Sequence, residues 1–460
     1  MRGRKGLWVF FAAMLAGAMS LTGCTSGPSQ PQDTGGPSQP QDTGVISDTA
    51  NQPDTTISVW VFNKLPNEVQ AIQDSINRLE AKYTWLHVDL VTGKDDTAFA
   101  QAVTANQPPD VFMTSSPDNV AKFCYDNTIV DMNPMIQSAG LDVASMFPNA
   151  SLAYTQFDGK QCALPLLVDA YALYYNKTMF TAAGITDMPQ TLSQLTDDIK
   201  KLTIRDASGN ITQWGMTPPR SDFAQGYNMF MGGNVGAPFY DASGKSTLAS
   251  DPAWTDMLNW QKSVIDFFGA DQVQKFVGTY STHSDDAQNP FQAGVSAMEF
   301  DGEWHMGELA ANAPDIDYGV IPMPVPDSQL AKYGAGNVVG NAVFIPTGSQ
   351  HQQAAFFAVQ QLTTDTQFIT DFASAMSNVP TTFDSLSSWT EASDPRWQTF
   401  IDITKNPNSF FKTLTPVGSE DVNTWNQFLN QWETGKVTDL AGSLTQLAQQ
   451  IDDLNAQAVS

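Results

Sequence analysis

The spacing of apolar residues changes several times along this chain, and each change predicts an element. Residues 7–21 form an apolar run broken only by small residues and Ser20. It is too short for a ~30 Å hydrocarbon core, which needs about 20 apolar residues. Residues 57–61 (ISVWV) read as a short strand. Residues 68–82 carry Val69, Ile72, Ile76 and Leu79 at helical spacing. A second strand is predicted over 87–91 and a second helix over 97–105. A third strand follows over 110–113, after the Pro108-Pro109 step. This β-α-β-α-β order predicts an α/β fold with a largely parallel sheet and helices on its faces. Phe157-Asp158-Gly159-Lys160 is a hairpin turn signal, after which the chain runs extended to Pro165. Pro322, Pro324 and Pro326 mark a second extended passage, and Asn378-Val379-Pro380 a third. Three such crossings between two lobes would form a hinge.

Composition narrows the partners. The sequence has 460 residues with 48 acidic and 22 basic side chains, a formal charge of −26. Residues 1–23 carry three basic and no acidic residues, so the chain beyond them is near −29. Such a surface repels phosphate backbones, which argues against nucleic acid and against direct docking on anionic lipid. About 400 residues remain for the folded part, more than one core usually serves.

The amino terminus has the layout of a secretory signal: Arg2, Arg4 and Lys5 precede the apolar run. The run ends in Leu21-Thr22-Gly23-Cys24, which resembles the lipobox of bacterial lipoproteins. That resemblance makes 1–23 a signal peptide and Cys24 the acylated mature N-terminus. Two or more acyl chains are needed for a stable anchor. GPSQPQDTG stands twice in tandem, at 27–35 and 36–44. With almost no aliphatic and no aromatic side chain it cannot offset the entropy of ordering. Residues 24–55 are therefore expected to be a flexible tether. Cys124 and Cys162 remain, and in an exported protein they are candidates for a disulfide.

Four passages resemble bacterial extracellular solute-binding proteins, the carbohydrate-binding components of ABC importers in the broad maltose-binding-protein-like group. The first is Asp158-Gly159-Lys160-Gln161-Cys162-Ala163-Leu164-Pro165. The second is Ala172-Leu173-Tyr174-Tyr175-Asn176-Lys177-Thr178-Met179-Phe180 with Ala182-Ala183-Gly184-Ile185. The third is Phe291-Gln292-Ala293-Gly294-Val295-Ser296-Ala297-Met298 with Gly302-Glu303-Trp304. The fourth is Asp317-Tyr318-Gly319-Val320-Ile321-Pro322 followed by Asn341-Ala342-Val343-Phe344-Ile345-Pro346. In this order they cover residues 57 to about 460. The resemblance implies a two-lobed periplasmic-binding-protein-like fold, each lobe a sheet flanked by helices, with a ligand cleft at a multi-strand hinge. It places crossings near residues 166, 321 and 373. The lobes become 56–166 plus 322–372 and 167–321 plus 373–460. The implied partners are a carbohydrate ligand and ABC permease subunits, with the protein a lipid-anchored monomer on the extracytoplasmic face, a Gram-positive surface favoured by the long tether.

Sugar chemistry selects the candidate site. Flat C–H faces want an aromatic plate, and the hydroxyl rim wants oriented polar groups. Trp304 matches the family's binding-loop tryptophan, and Glu303 and Asp301 beside it are candidate hydroxyl acceptors. Asp169 and Tyr171 lie just past the first crossing. Asn63 and Lys64 follow the first strand, and Ser115 and Ser116 the third, at the carboxyl edge where α/β sheets place ligands. Asn228, Gly232, Asn234 and Asn341 complete the set. The 11 Trp and 11 Tyr favour an oligosaccharide with several stacking subsites.

No cofactor or metal is expected and no enzyme activity. None of His87, His283, His305 and His351 stands at metal-ligand spacing to another, and there is no Gly-x-Ser-x-Gly elbow or Walker loop. Acidic pairs such as Asp95-Asp96 and Asp285-Asp286 could in principle serve a glycoside hydrolase. Many acidic side chains would also suit a non-sugar solute such as a polyamine. The same fold could equally serve a sensor or adhesion module that works without an importer.

Overall fold

The computed structural model describes residues 44–459 except 222, 224–228, 231–233, 235, 282, 284 and 285. The expected signal peptide, Cys24 and the tandem repeat up to residue 43 therefore lie outside the described residues. The expected tether has a different end. Val45 and Ile46 already pack on the larger apolar cluster, because they supply the aliphatic surface that the preceding repeat lacks.

The β-α-β-α-β unit forms where the periodicity predicts it. Strand β1 (Thr55–Val61) leads through α1 (Pro66–Lys82) to β2 (Leu86–Val91), then through α2 (Asp96–Thr104) to β3 (Val111–Thr114). Both β2 and β3 pair with β1 in parallel. Helix α1 buries Ile72, Ser75, Ile76 and Leu79, one stripe at 3.6-residue spacing. In α2 the Asp95 side chain caps the first turn by accepting from the Ala98 N–H. The predicted hairpin joins Gln156–Phe157 to Lys160–Gln161. Asp158 and Gly159 take φ of 49° and 74°, as a two-residue turn matched to the strand twist requires.

The centre of the fold is one long strand, Leu164–Asn176. Its first half pairs antiparallel with Val338–Phe344, which in turn pairs with β3. Its second half pairs with Met298–Gly302 and with Tyr318–Pro322. The change of partners falls between Ala170 and Tyr171. Val379–Pro380 adds to the first half at Val168 and Leu167. Among the described residues these strands make one eight-stranded mixed sheet, so the protein is the expected two-lobed α/β fold. Three chain segments meet at Leu167–Ala170.

The apolar clusters divide the chain differently from the expected crossings. Met323 packs in the second cluster and Val325 bridges to Thr191, so the chain rejoins the first half of the long strand only at Val338. Phe368, Phe372, Trp389, Trp397 and Phe400 lie in the first cluster. Only the two last helices, with Trp425, Phe428, Leu444 and Ile451, join the second. The stretch from 373 to about 403 thus packs in the first cluster, where helix Thr366–Met376 lies on α1 and helix Pro395–Lys405 lies on the long strand and on Tyr318–Pro322, with Phe400 against Tyr174. A smaller cluster holds Cys124 and Cys162, which are disulfide-bonded with Cα atoms 5.9 Å apart, among Phe99, Phe112 and Phe344.

Candidate functional site

Parallel strands β1 and β3 end at one edge of the sheet and present Asn63, Ser115 and Ser116 there. Strand Val338–Phe344 enters the same edge with Asn337 and Asn341, and the long strand crosses beneath with Asp169 and Tyr171. Opposite stands Trp304, in the turn between strand Met298–Gly302 and helix His305–Asn312. A Cβ added to Gly302 would fall 2.3 Å from the Trp304 Cη2. Only glycine there lets the indole fold back over its own strand. Tyr171 meets the indole edge-on, with centroids 5.7 Å apart at 86°.

Two cavities open on this arrangement, of about 610 Å³ and about 490 Å³, and both are lined by Ser115, Asp169 and Trp304. Phe62, Leu65, Glu68, Glu308, Asn341, Met376 and Asn378 wall the larger one. Ser116, Asp118, Tyr171, Asn337, Phe411, Lys412, Asn423 and Asn426 wall the smaller. Their sizes fit sugar-sized ligands.

Beneath them lies an acidic floor. The Asn378 side-chain amide donates to the Asp169 carboxylate and, at 2.7 Å, to Glu303 Oε1. Glu303 Oε2 accepts from the Ala170 N–H at 2.8 Å. Burial pushes Asp169 up to about 7, against the hydrogen bond with Glu303. Burial also raises Glu303 well above the usual carboxylate range, and the Asp169 charge adds to it. Two carboxyls in one dry site cannot both ionise cheaply, so the pair holds a proton. Glu299, Asp301 and His305 bring one ligand-type atom each within 4.8 Å. Glu299 is already engaged by Asn289 and Thr217, Asp301 Oδ1 by the Gly302 N–H, and His305 Nδ1 by Glu308 at 2.8 Å. Burial works against the charged imidazole, but Glu308 and Asp301 outweigh it and raise its pKa. This reads as a protonic network supporting the Trp304 turn.

Of the residues expected from sequence, Ser115, Ser116, Asp169, Tyr171, Trp304 and Asn341 come together around the two cavities. Others need correction. Asp301 and Glu303 are wholly buried and line neither cavity, because both are turned into the interior. Asn63 is buried at the wall and donates to Glu68 Oε2 at 3.2 Å. Lys64 is exposed and lines neither cavity. Asn234 is buried apart from both. Asn228, Gly232 and Cys24 lie outside the described residues. Sequence reading missed Glu68, Asn378, Phe411 and Lys412. Asn378 had a signal, the extended 378–380 step, whereas Phe411 and Lys412 sit in an irregular stretch with no periodicity to read.

A cleft floored by a crossing strand and overhung by a tryptophan turn is the architecture of a two-lobed binding protein. The chain belongs to the family described as bacterial extracellular solute-binding protein, whose model matches residues 65–367. It is 28% identical over 213 residues to a binding protein of Brucella abortus, which is 46% of this chain and 48% of that one. The chain thus spans about half the length of that relative. It is 21% identical over 327 residues to the maltotriose-binding protein of Pyrococcus abyssi, 70% of this chain and 66% of that one. Among solved structures it is similar to CpMnBP1 with mannotriose bound, with a TM-score of 0.72, 23% identity and 88% and 99% of the two chains covered. The sugar-binding protein MalE from Xanthomonas citri aligns with a TM-score of 0.70 at 18% identity, over 88% and 98%.

Proposed function

We propose that this protein captures a carbohydrate of more than one ring in the cleft around Trp304 and delivers it to an ABC import permease, held at the membrane surface through Cys24. The observation that carries this reading is one tryptophan shared by two adjoining cavities. An indole stacks on the apolar face of a sugar ring. The two cavities that it lines leave room for the neighbouring rings, and asparagine and serine side chains at their walls suit the hydroxyls. The mannotriose and maltotriose carried by the similar proteins agree with a ligand of that length. Closure of the lobes would follow only if ligand binds the closed form more tightly than the open one.

The test is a thermal-shift screen of the purified protein against mono- and oligosaccharides. At 100 times its dissociation constant a ligand stabilises the fold by about 2.7 kcal/mol, a shift of a few degrees. A shift with oligosaccharides that Trp304→Ala removes supports the reading. A shift only with polyamines or phosphate esters, or with no glycan at all, overturns it.

A further inference from the structure

The walls of the larger cavity include Glu68, Asp169 and Glu308 but no Lys, Arg or His among the described residues. Glu308 has the His305 imidazole at 2.8 Å. Glu68 and Asp169 make no ion pair among the described residues. Glu68 accepts only from the Asn63 amide and Asp169 from that of Asn378. A second observation points the same way. Asn341 is 3% exposed and lines the cavity, and its carbonyl Oδ1 has no donor. A buried acceptor left unmet is costly, and a ligand that donates would satisfy it. The cavity therefore offers acceptors, the Glu68 carboxylate, an Asp169–Glu303 pair that keeps one proton and one negative charge, and an indole face. That combination favours a donor-rich cation over a neutral polyol. The smaller cavity differs, because a cation, Lys412, lines it 3.2 Å from Asp118.

We propose that the larger cavity takes a glycan ring bearing a protonated amine, with the ammonium against Asp169 and donating toward Asn341. This rests on the cleft being a carbohydrate site and adds the class of sugar. A neighbouring ring, uncharged or not, would continue past Trp304 into the smaller cavity.

The experiment is calorimetric titration of the full chain at neutral pH with glucosamine trimer, its N-acetylated counterpart, and neutral trisaccharides of glucose and of mannose, at low and high salt. The expected result is a preference of about tenfold or more for the free amine, which shrinks with salt. Asp169→Asn should abolish the preference. Glu68→Gln, at a half-buried position outside the hinge, should reduce it even if Asp169→Asn folds poorly. Equal or tighter binding of the neutral or acetylated sugars overturns this inference and leaves the carbohydrate reading standing. Binding of spermidine but of no glycan overturns both.

Discussion

Asp169 and Asn378 lie 209 residues apart in sequence and are hydrogen-bonded across the meeting point of two crossing segments. The same amide reaches Glu303, so the hinge is tied by one asparagine between two carboxyls. Asp169 is pushed up to about 7 by burial, while an unfolded aspartate titrates near 4. The folded state therefore binds the proton more tightly. Its contribution to stability is fully present below about pH 4 and is lost as pH rises toward about 7. The slope reaches at most about 1.4 kcal/mol per pH unit for one proton. Urea unfolding of the wild type and of Asp169→Asn across pH 4–7 should show this slope flattened in the variant. Identical slopes would remove the proton from the hinge.

Gly302 should be intolerant of any side chain. A Cβ there overlaps the Trp304 ring at 2.3–2.6 Å, and overpacking typically costs about 1–3 kcal/mol. Gly302→Ala should lower stability and glycan affinity together. Adding Trp304→Ala should restore much of the stability and none of the affinity, a coupling that a double-mutant cycle measures. Additive losses would mean that the indole does not rest on this glycine.

The elements around that turn show what the sequence could and could not reveal. The strands and helices up to residue 114 were legible within two residues of their ends. β1 and α1 each bury one face, and a one-sided element writes its period into the sequence; β3, buried throughout, was legible from its short apolar run after Pro108-Pro109. Strand Met298–Gly302 is buried at every position, so no alternation separated Asp301 from a cleft-facing residue. The long strand is buried at eleven of its thirteen positions and gave no sign of where it changes partners. The placement of 373–403 in the first cluster depends on its meeting the long strand and Tyr318–Pro322, far earlier in the chain, a tertiary property with no local trace. The cleft residues that were legible, Ser115, Asn341 and Asp169, sit at strand ends or crossings, where backbone rules locate ligands without knowledge of packing.

The Cys124–Cys162 bond closes a loop of 38 residues in a cluster with Phe99, Phe112 and Phe344. Loop-closure entropy assigns such a bond about 3–4 kcal/mol. Chemical denaturation with and without reductant should show a loss of that order, and Cys124→Ala with Cys162→Ala should match the reduced protein. A loss below about 1 kcal/mol would show that the aromatic cluster alone holds the region.

Lys412 is a buried cation held between two carboxylates. It is 6% exposed, and its ammonium is 2.7–2.8 Å from both oxygens of Asp421 and 3.2 Å from Asp118. Asp421 is wholly buried and also accepts from the Tyr240 hydroxyl at 2.5 Å. Removing one member of a buried pair leaves the other charge uncompensated, at a cost of about 3–5 kcal/mol. Lys412→Met should lose stability on that scale. Lys412→Met with Asp421→Asn should recover part of it, because the more deeply buried of the two stranded carboxylates is gone, Asp118 alone remaining, and the amide can still accept from Tyr240. Asp118 lies on helix Asp118–Tyr125 and Asp421 on helix Glu420–Glu433. The same ammonium therefore ties an element that follows β3 to one packed on the second cluster. Its loss should also change glycan affinity at the smaller cavity, which Asp118 and Lys412 line. If Lys412→Met behaved like a surface substitution, within about 0.5 kcal/mol, the triad would be an incidental contact and the two helices would be held by packing alone.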